Sequence, residues 1–411
     1  MIETMAERYR RPDWVRRLNA MAGSVGGDAR RLVPIDADAL LDTAIASTGG
    51  APPAGDFGDP GWRERFTSLA RALDQAPLHV VGRLLTVQEL LRALRTRLLL
   101  TRAADAEPAV FDAPIEAPVI VTGPARSGTS ITFELLWLDD SLRAPTAWEA
   151  LHPLPVPEDA GDDRRPSWGE CEQELWADVQ PEFAAVHELR SDLPVECVTL
   201  TQPCFCGPHW SMIAQLPGFA PDPVAMYDFH RRILQVLQHE RPRKSWLLKT
   251  PGHLMTLELL FQTYPDAWIV QTHRDPAKTM PSTVSTTALV QWMRTDHVDV
   301  KLLAAVIAEV FSGALNRTVE LRTGGALPDR FVDVHFQDLM KDPVATLRAA
   351  YARMGRPFGD THADRIRRYL ADKPKGKFGT HAYTPEEWGF TAPGLREKLA
   401  PYVSHFGVAL E

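Results

Sequence analysis

The pattern of apolar residues changes near residue 113, and the part of the chain before that point has helical periodicity. The clearest helical stretch, TVQELLRALRTRLLL, begins at Thr86. Apolar side chains recur in it at helical spacing, at Val87, Leu90, Leu91, Leu94 and Leu98. Thr86 and Glu89 form a T-x-x-E capping box, which predicts that the helix begins there. We expect its apolar face to pack on the main domain, with a membrane surface as the alternative partner.

After residue 113, short apolar runs alternate with helical patterns. VIVT, over Val119–Thr122, is a continuous run of β-branched residues, as is typical of a buried parallel strand. Three further candidate strands, SWLLKT, AWIVQTH and FVDVHF, lie at 245–250, 267–273 and 331–336. Helical patterns follow the first two strands, in ITFELLWL and in HLMTLELLFQTY. This alternation predicts an α/β, P-loop-like three-layer fold with a central, mostly parallel sheet.

Residues 145–223 follow neither pattern and contain many of the Pro, Trp and Cys residues. We predict an irregular segment that covers a site or shapes a pocket. Its large side chains are candidates for an apolar pocket, although burial in the core is their default role: Trp148, Phe205, Trp210 and Met212. In LPVECVTL, we expect Glu196 and Cys197 to lie on a helix that lines the same pocket.

Composition identifies a globular chain and limits its partners. The 411 residues are 45% hydrophobic and 24% charged, which allows a large core. The net charge of -8 excludes a general nucleic-acid footprint, so an anionic ligand needs a local basic site. Four cysteines do not make a disulfide framework in a chain of this length. Because we find no signal-peptide pattern and no run of 18 apolar residues, we expect a cytoplasmic protein without stable membrane insertion.

The loop VTGPARSGTS, at the end of the first strand, has the features of a phosphate-binding loop. Gly123 and Gly128 keep the spacing of G-x-x-x-x-G-K-S/T, and Ser130 closes it. Thr129 stands at the position of the usual lysine, while Arg126 supplies a positive charge three residues earlier. A strand-to-helix loop offers backbone N–H groups to an anion at the positive end of the helix dipole. The missing lysine argues against a triphosphate with Mg²⁺ and favours one compact anionic group held without metal.

Two more basic motifs follow candidate strands. In THRDPAKTMPS, Arg274 ends the third strand and Ser282 lies eight residues later, a pair that suits a second phosphate group. An ion pair between Arg274 and Asp275 is the alternative. In WLLKTPGH, Lys249 ends the second strand at the same sheet edge, and His253 begins the next helix. Lys249 is therefore a candidate to neutralise charge on a leaving group.

Together these motifs resemble the sulfotransferases that use 3′-phosphoadenosine 5′-phosphosulfate (PAPS). GPARSGTS is similar to the family's 5′-phosphosulfate loop, P-x-R-S-G-T-T/S, and THRDPAKTMPS is similar to its 3′-phosphate motif. LLKTPGHL, FVDVHFQDLMKDP and KGKFGTHAYTPEEWGF resemble other family segments, and the resemblance spans residues 117–406. The helical N-terminal region resembles that of the bacterial branch. The resemblance implies a sulfotransferase catalytic domain over residues 114–411, with the helical region 1–113 packed on its core.

The resemblance implies transfer of a sulfuryl group from PAPS to an acceptor hydroxyl, with PAP as the product and no metal. The implied donor site consists of Arg126, Ser127, Gly128, Thr129, Ser130, Arg274 and Ser282. Arg126 and the loop amides would hold the 5′-phosphosulfate, while Arg274 and Ser282 would hold the 3′-phosphate. Lys249, with Arg126 beside it, would stabilise the leaving oxygen.

Two residues compete for the role of general base, the group that takes the acceptor proton. Glu149, in APTAWEALHPLP, resembles the glutamate that serves as base in the protein-tyrosine and bacterial branches. His253 is the alternative, because the cytosolic small-molecule branch has its catalytic histidine two residues after the corresponding lysine. Here the interval from Lys249 is four residues. We therefore predict Glu149 as the base, with Lys249, Arg126 and His253 completing the catalytic set.

The acceptor is expected to be small and partly apolar. An alcohol, a phenol, a lipid and a secondary metabolite all fit this description, and a carbohydrate or an amine stays open. Two other functions compete with sulfuryl transfer: a P-loop kinase or GTPase, and a protein that binds PAP without turnover. We expect no nucleic-acid partner, and the helical region 1–113 is a candidate homodimer interface.

Two weaker groups complete the sequence predictions. PCFCGPH invites a zinc interpretation through Cys204, Cys206 and His209, but a clear fourth ligand is missing and we expect no metal. The candidates to contact or cover the nucleotide near the C-terminus are Lys377, His381 and Tyr383.

Overall fold

A computed structural model describes residues 5–50, 58–156, 161–239, 241, 244–373 and 383–411. Within these residues the strands of one parallel sheet are β1 (Val119–Thr122), β2 (Leu142–Arg143), β3 (Ser245–Lys249), β4 (Trp268–His273) and β5 (Phe331–His335). Four of them match the strands predicted from the sequence, and helices lie between them. The predicted α/β, mostly parallel fold is therefore confirmed. Strand β2 has no counterpart in the prediction, because two residues are too few to form a pattern.

The strand order β2-β3-β1-β4-β5 brings the motif-bearing strands together in the middle of the sheet. All neighbouring pairs are parallel, with Val121 opposite Lys249 and Thr122 opposite Gln271. Because parallel strands end at the same edge, the loops after β1, β3 and β4 meet there. That edge is where open α/β sheets bind their ligands.

Helices surround the sheet and form the N-terminal region. Before β1 the described helices are α1 (Met5–Arg8), α2 (Asp13–Ala20), α3 (Ala37–Ala46), α4 (Trp62–Gln75) and α5 (Val80–Ala106). After β1 they are α6 (Thr129–Trp137), α7 (Ala147–Leu151), α8 (Arg165–Val179), α9 (Cys197–Leu200), α10 (Pro208–Ile213), α11 (Pro223–His239), α12 (Leu257–Thr263), α13 (Pro276–Trp292), α14 (Val300–Thr323), α15 (Phe336–Lys341), α16 (Pro343–Arg353), α17 (Asp360–Asp372), α18 (Ala392–Lys398) and α19 (Ala400–Phe406).

Two apolar clusters lie on the two faces of the sheet, as a three-layer fold requires. Ile120 and Leu248 belong to the cluster that includes side chains of α11 and α12. Val121 and Leu247, their neighbours in sequence, belong to the cluster that includes side chains of α6 and α16. Because successive strand residues point to opposite faces, β1 and β3 contribute to both cores.

Helix α5 begins well before its predicted start. His79 caps it by accepting the Gly82 N–H at Nδ1, at 2.9 Å. Thr86 lies inside the helix, where its hydroxyl donates to the Gly82 carbonyl at 2.8 Å. The capping box predicted from Thr86 and Glu89 is therefore wrong. The helix extends upstream because the preceding apolar residues, among them Val81, pack in the core.

The largest apolar cluster joins the N-terminal helices to the rest of the chain. It contains Phe66 of α4 and Leu94 of α5 together with Val284 of α13 and Leu315 of α14. Helix α5 is buried on more than one side for this reason. A domain boundary at residue 113 stays a prediction.

The segment 145–223 contains helices α7 to α10 between irregular stretches, so the prediction of an irregular segment is wrong only for these helices. Helix α8 alone has 15 residues. Prolines suggested breaks, but Pro166 and Pro208 lie in the first turns of α8 and α10, where the missing N–H has no helical partner to lose.

Helix α14 is, among the described residues, the one helix long and apolar enough to cross a membrane by length and composition alone. Of its most apolar 18-residue window, 44% is buried inside the protein. Its buried side chains share the largest apolar cluster with α13. A core helix passes the same criterion, so the feature is weak support for a membrane span.

Candidate active site

The loop between β1 and α6 depends on glycine at two positions. Gly123 has φ of 144° and Gly128 has φ of 97°, a region that side-chain-bearing residues rarely adopt. A Cβ at Gly123 would also lie 2.3 Å from Thr272 Oγ1 of β4. The loop therefore packs against the neighbouring strand in a way that only glycine permits.

Hydroxyl contacts hold the loop in shape, while its cation faces outward. Ser127 Oγ donates to the Pro124 carbonyl at 2.6 Å and lies 2.5 Å from Thr272 Oγ1. Arg126 is exposed and has φ of 65°. Thr129 and Ser130 form the first turn of α6, where backbone N–H groups have no partner within the helix. The loop thus combines a helix N-terminus with an exposed guanidinium, which suits an anion.

Lys249 connects the end of β3 to this loop. Its side chain is almost fully buried, and Nζ donates to Ser130 Oγ at 3.3 Å. Nζ also donates to Glu196 Oε1 at 2.5 Å. The structure therefore brings together the predicted lysine and the predicted loop, with a carboxylate beside them.

Glu196 is the functional candidate whose role the sequence did not reveal. It precedes the first residue of α9, and Thr250 Oγ1 donates to its Oε2 at 3.3 Å. His187 Nε2 lies 3.8 Å from its Oε1. Burial alone raises the pKa of Glu196, but the charges of Lys249 and His187 outweigh it and lower the pKa below the usual range. A negative carboxylate at pH 7 therefore faces the lysine.

Glu149 lies among partners of its own. Its Oε1 accepts from Arg143 Nη2 at 2.9 Å and from Arg241 Nη1 at 2.7 Å. Its Oε2 accepts from the Thr146 N–H and hydroxyl, both at 3.0 Å. Four donors thus fill the acceptor positions of one carboxylate. Arg143 pairs in register with the second residue of β3, while Lys249 ends that strand, roughly 10 Å further along at the usual rise per residue.

His253 is buried in the 3-10 turn Pro251–Thr256, directly after β3. Its Nδ1 lies 2.8 Å from Tyr227 Oη, and its Nε2 has no partner among the described residues. Burial lowers the pKa of His253 well below its usual range, and the nearby His230 adds to this effect. The ring is therefore neutral at pH 7.

Arg274 reaches back from the end of β4 to the loop. Its Nη1 donates to the Arg126 carbonyl at 3.0 Å. Its Nε and Nη2 donate to the two carboxylate oxygens of Glu411, at 2.7 and 2.8 Å. The alternative partner Asp275 instead caps α13 and pairs with Arg396 at 2.5 Å. The predicted 3′-phosphate arginine thus adjoins the predicted 5′ loop.

Ser282 lies inside α13, fully buried, and its Oγ has no partner among the described residues. A cavity of about 310 Å³ is lined by Arg274, Phe336, Gly407 and Glu411, among others. The Glu411 carboxylate presents to Arg274 the same kind of planar anion that a phosphate ligand would present.

The weaker sequence groups do not assemble at this edge. Cys204 Sγ donates to the Thr201 carbonyl at 2.8 Å, and Cys206 Sγ donates to the Cys204 carbonyl at 3.3 Å. His209 Nε2 lies 3.1 Å from Glu89 Oε2. These contacts give no support to a zinc site at Cys204, Cys206 and His209, the interpretation that the sequence already disfavoured.

The remaining candidates have mixed outcomes. Phe205 and Trp210 are buried in the largest apolar cluster, which is their default role. Tyr383 Oη donates to the Lys278 carbonyl at 3.2 Å, at the first turn of α13. Lys377 and His381 lie outside the described residues.

Known proteins resemble this chain over most of its length. A curated relative from Mycobacterium bovis, the omega-hydroxy-beta-dihydromenaquinone-9 sulfotransferase Stf3, is 26% identical over 293 residues, which are 66% of this chain and 71% of the relative. The crystal structure of sulfotransferase STF9 from Mycobacterium avium is 27% identical with a TM-score of 0.79, and the match covers 91% of this chain and 97% of that one. Sulfotransferase STF1 from Mycobacterium tuberculosis H37Rv is 27% identical with a TM-score of 0.73, covering 89% and 98%.

The profile of one family matches the part of the chain that carries the site. Residues 118–360, more than half of the 411 residues, match the profile described as the sulfotransferase family. This range includes the loop, Glu196, Lys249 and Arg274. With its parallel sheet, its loop at the helix N-terminus and its likeness to solved sulfotransferases, the chain belongs to the sulfotransferase family.

Proposed function

We propose that this protein transfers a sulfuryl group from PAPS to a hydroxyl of a small, partly apolar acceptor. The observation that carries the proposal is the buried ammonium of Lys249, which contacts both the loop hydroxyl of Ser130 and the carboxylate of Glu196. A cation held between a phosphate-type loop and a carboxylate can neutralise a leaving oxygen on one side and meet an acceptor on the other.

The described residues fit a donor that carries two anionic groups, as PAPS does with its 5′-phosphosulfate and 3′-phosphate. The first turn of α6 and Arg126 suit the first group. Arg274 suits the second, since its guanidinium already binds a carboxylate in bidentate fashion. Ser282 keeps a buried hydroxyl that lacks a partner among the described residues, at the same end of α13.

The chain's contribution to transfer is positioning and charge stabilisation. PAPS, when bound, supplies a sulfuryl group attached to a phosphate leaving group. Lys249 Nζ can donate to the leaving oxygen, and the α6 N-terminus with Arg126 can hold the anionic oxygens. Because Glu196 already neutralises Lys249, donor binding must share or replace that ion pair.

Glu196 and Glu149 compete for the role of general base. An acceptor hydroxyl that approaches a sulfuryl group at Lys249 also approaches Glu196, which contacts the lysine directly. Glu149, the assignment from the sequence, has its oxygens occupied by Arg143, Arg241 and Thr146. We therefore assign the proton-accepting role to Glu196, with Glu149 as the competing assignment.

The acceptor class follows from chemistry and from one relative. The name of Stf3 describes a sulfotransferase that acts on omega-hydroxy-beta-dihydromenaquinone-9. We extend only the class, a hydroxyl on a largely apolar molecule, because specificity depends on pocket shape and small differences in a pocket change it. Four further properties stay predictions: that the enzyme is cytoplasmic, that it is bacterial, that it forms a homodimer, and that it has no nucleic-acid partner.

Transfer itself is the test. The purified chain is incubated with PAPS and a panel of hydroxylated quinones, phenols and alcohols, and PAP and sulfated product are quantified. We expect acceptor-dependent formation of both in equal amounts. If the chain binds PAP but forms no sulfated product with any acceptor, the result would support the alternative function of a protein that binds PAP without turnover. Phosphate release from ATP with Mg²⁺ would instead support the kinase or GTPase alternative.

A further inference from the structure

Three buried side chains of types that commonly bind metals gather next to Glu196, the partner of Lys249. Cys197 begins α9, His230 lies on α11, and His253 lies in the turn after β3. All three are at least 98% buried. One ligand atom from each, the thiol sulfur and two ring nitrogens, lies within 4.8 Å of the others. Three separate elements thus converge on one point.

Two tyrosine hydroxyls orient the histidine rings. Tyr227 Oη lies 2.8 Å from His253 Nδ1, and Tyr264 Oη lies 2.6 Å from His230 Nδ1. The Nε2 atom of each ring is buried and has no partner among the described residues. Metal-binding histidines are typically held in this way, with a hydrogen bond at one ring nitrogen and the metal at the other. Two unsatisfied buried nitrogens in one cluster would otherwise cost stability.

We propose that Cys197, His230 and His253 form a binding site for a single Zn²⁺ or Cu⁺ ion. One thiolate and two imidazoles are the ligands that both ions prefer. Ligand atoms around a tetrahedral zinc lie roughly 3.3–3.6 Å apart, as its bond lengths require. Closing the present separation therefore needs a shift of about 1 Å or less in each side chain.

The binding step is an acid–base exchange without redox change. The Cys197 S–H bond breaks and its proton leaves to solvent, while an S–metal bond forms. The two neutral imidazoles donate their Nε2 lone pairs. A water molecule completes a zinc site of three protein ligands, whereas Cu⁺ is satisfied by three soft or imidazole ligands.

The site has a structural consequence for the neighbouring pair. Cys197 follows Glu196 directly, and His253 lies four residues after Lys249. A bound ion would link α9, α11 and the turn after β3, and so fix the start of α9 relative to the end of β3. The inference rests on these side chains and not on the proposed function.

Metal content and cobalt spectroscopy test the proposal on the full chain without an affinity tag. We expect about one equivalent of zinc or copper in the purified protein, and element analysis distinguishes the two ions. After removal with a chelator, Co²⁺ should produce a thiolate-to-cobalt charge-transfer band that saturates at one equivalent. Titration with Cu⁺ under reducing conditions, in competition with a chelator whose absorbance reports the bound copper, measures the affinity of the protein for Cu⁺.

Variants assign the ligands. Cys197→Ser should abolish the thiolate-to-cobalt band, while Cys171→Ser, the same change at an exposed cysteine, should leave it intact. Tyr264→Phe should weaken metal binding by about 10–100-fold, the usual effect of removing a group that orients a ligand. Circular dichroism checks that each variant folds.

The wild-type chain alone can overturn the proposal. The site would be excluded, even if no variant folds, if the wild-type chain retained no metal, gave no charge-transfer band at saturating Co²⁺ and took up no Cu⁺. A band that persists in folded Cys197→Ser would show that the metal binds elsewhere.

Discussion

At the scale of single residues, the candidate site centres on a buried lysine that contacts a carboxylate and a loop hydroxyl. Burying an ammonium is costly unless it is paired, and Glu196 and Ser130 provide the pairing for Lys249. The sequence predicted Lys249 because the residue ends a strand at the ligand-binding edge. It did not predict the pairing with Glu196, because the two residues lie 53 positions apart and no local pattern connects them.

Lys249→Met removes the ammonium but keeps an unbranched apolar side chain. We expect kcat to fall by about 10²–10³-fold, the effect of removing one group that stabilises transition-state charge. Steady-state kinetics with PAPS and an acceptor from the panel measure the change. Lys301→Met, on an exposed lysine of α14, is the control and should leave kcat unchanged. A full kcat in Lys249→Met would remove this lysine from the reacting centre.

Glu196→Gln and Glu149→Gln separate the two candidate bases. We expect Glu196→Gln to lower kcat by about 10²–10⁴-fold, the contribution of a general base. Glu149→Gln should mainly lower thermal stability, because it removes a buried charge from Arg143 and Arg241.

Kinetics and thermal denaturation of the same two preparations give the comparison. Glu149 would again be the assigned general base if Glu149→Gln lost turnover without losing stability while Glu196→Gln stayed active.

At the scale of elements, strands were more predictable than helix starts. The positions of β1, β3, β4 and β5 agree with the prediction within one residue, because strands buried on both faces are continuously apolar. The capping-box prediction at Thr86 was wrong because a threonine hydroxyl can also donate to a backbone carbonyl inside a helix. Here the Thr86 hydroxyl donates to the Gly82 carbonyl. The loop between β1 and α6 was predictable because its glycine motif is local in sequence. The contact between Lys249 of β3 and Glu196 before α9 was not, because it joins distant parts of the chain.

Glu411 occupies the guanidinium of Arg274, the group that we propose for the 3′-phosphate of the donor. Glu411→Gln removes the carboxylate that occupies the guanidinium, so we expect PAP to bind up to a few-fold more tightly, the worth of a partly exposed ion pair. Calorimetric titration with PAP measures the affinity. Glu397→Gln, at an exposed glutamate of α18, is the matched control. Unchanged affinity in Glu411→Gln would mean that PAP does not use Arg274.

At the scale of the whole molecule, one buried carboxylate ties the N-terminal helices to the rest of the chain. Glu89 of α5 accepts from Arg294 Nη2 at 2.6 Å, and His209 Nε2 lies 3.1 Å from its other oxygen. Arg294 follows α13, and His209 lies on α10. The sequence assigned Glu89 to a helix cap, because its partners lie 120 and 205 positions away.

The same carboxylate predicts acid sensitivity. Burial alone raises the pKa of Glu89, but Arg294 and His209 outweigh it and lower the pKa to about 2. An unfolded glutamate has a pKa of about 4.3, so Glu89 stabilises the fold above that pH. This contribution is lost as the pH falls from about 4.3 toward 2.

Glu89→Gln should therefore be destabilised at pH 7, by about 3–5 kcal/mol for a broken buried pair, and should lose less further stability on acidification than the wild type. Denaturant unfolding at about pH 7, pH 5 and pH 3 measures both effects. Glu320→Gln, at an exposed glutamate of α14, should follow the wild type. An equal loss of stability in Glu89→Gln and the wild type would contradict the assignment.

The most direct test of the whole account is calorimetric titration of the purified chain with PAP, with ATP and Mg²⁺ as the comparison. We expect micromolar binding of PAP that needs no metal in the buffer, and weak binding of ATP. Binding of ATP with Mg²⁺ while PAP is ignored would contradict the assignment of the loop, Lys249 and Arg274 to a PAPS site.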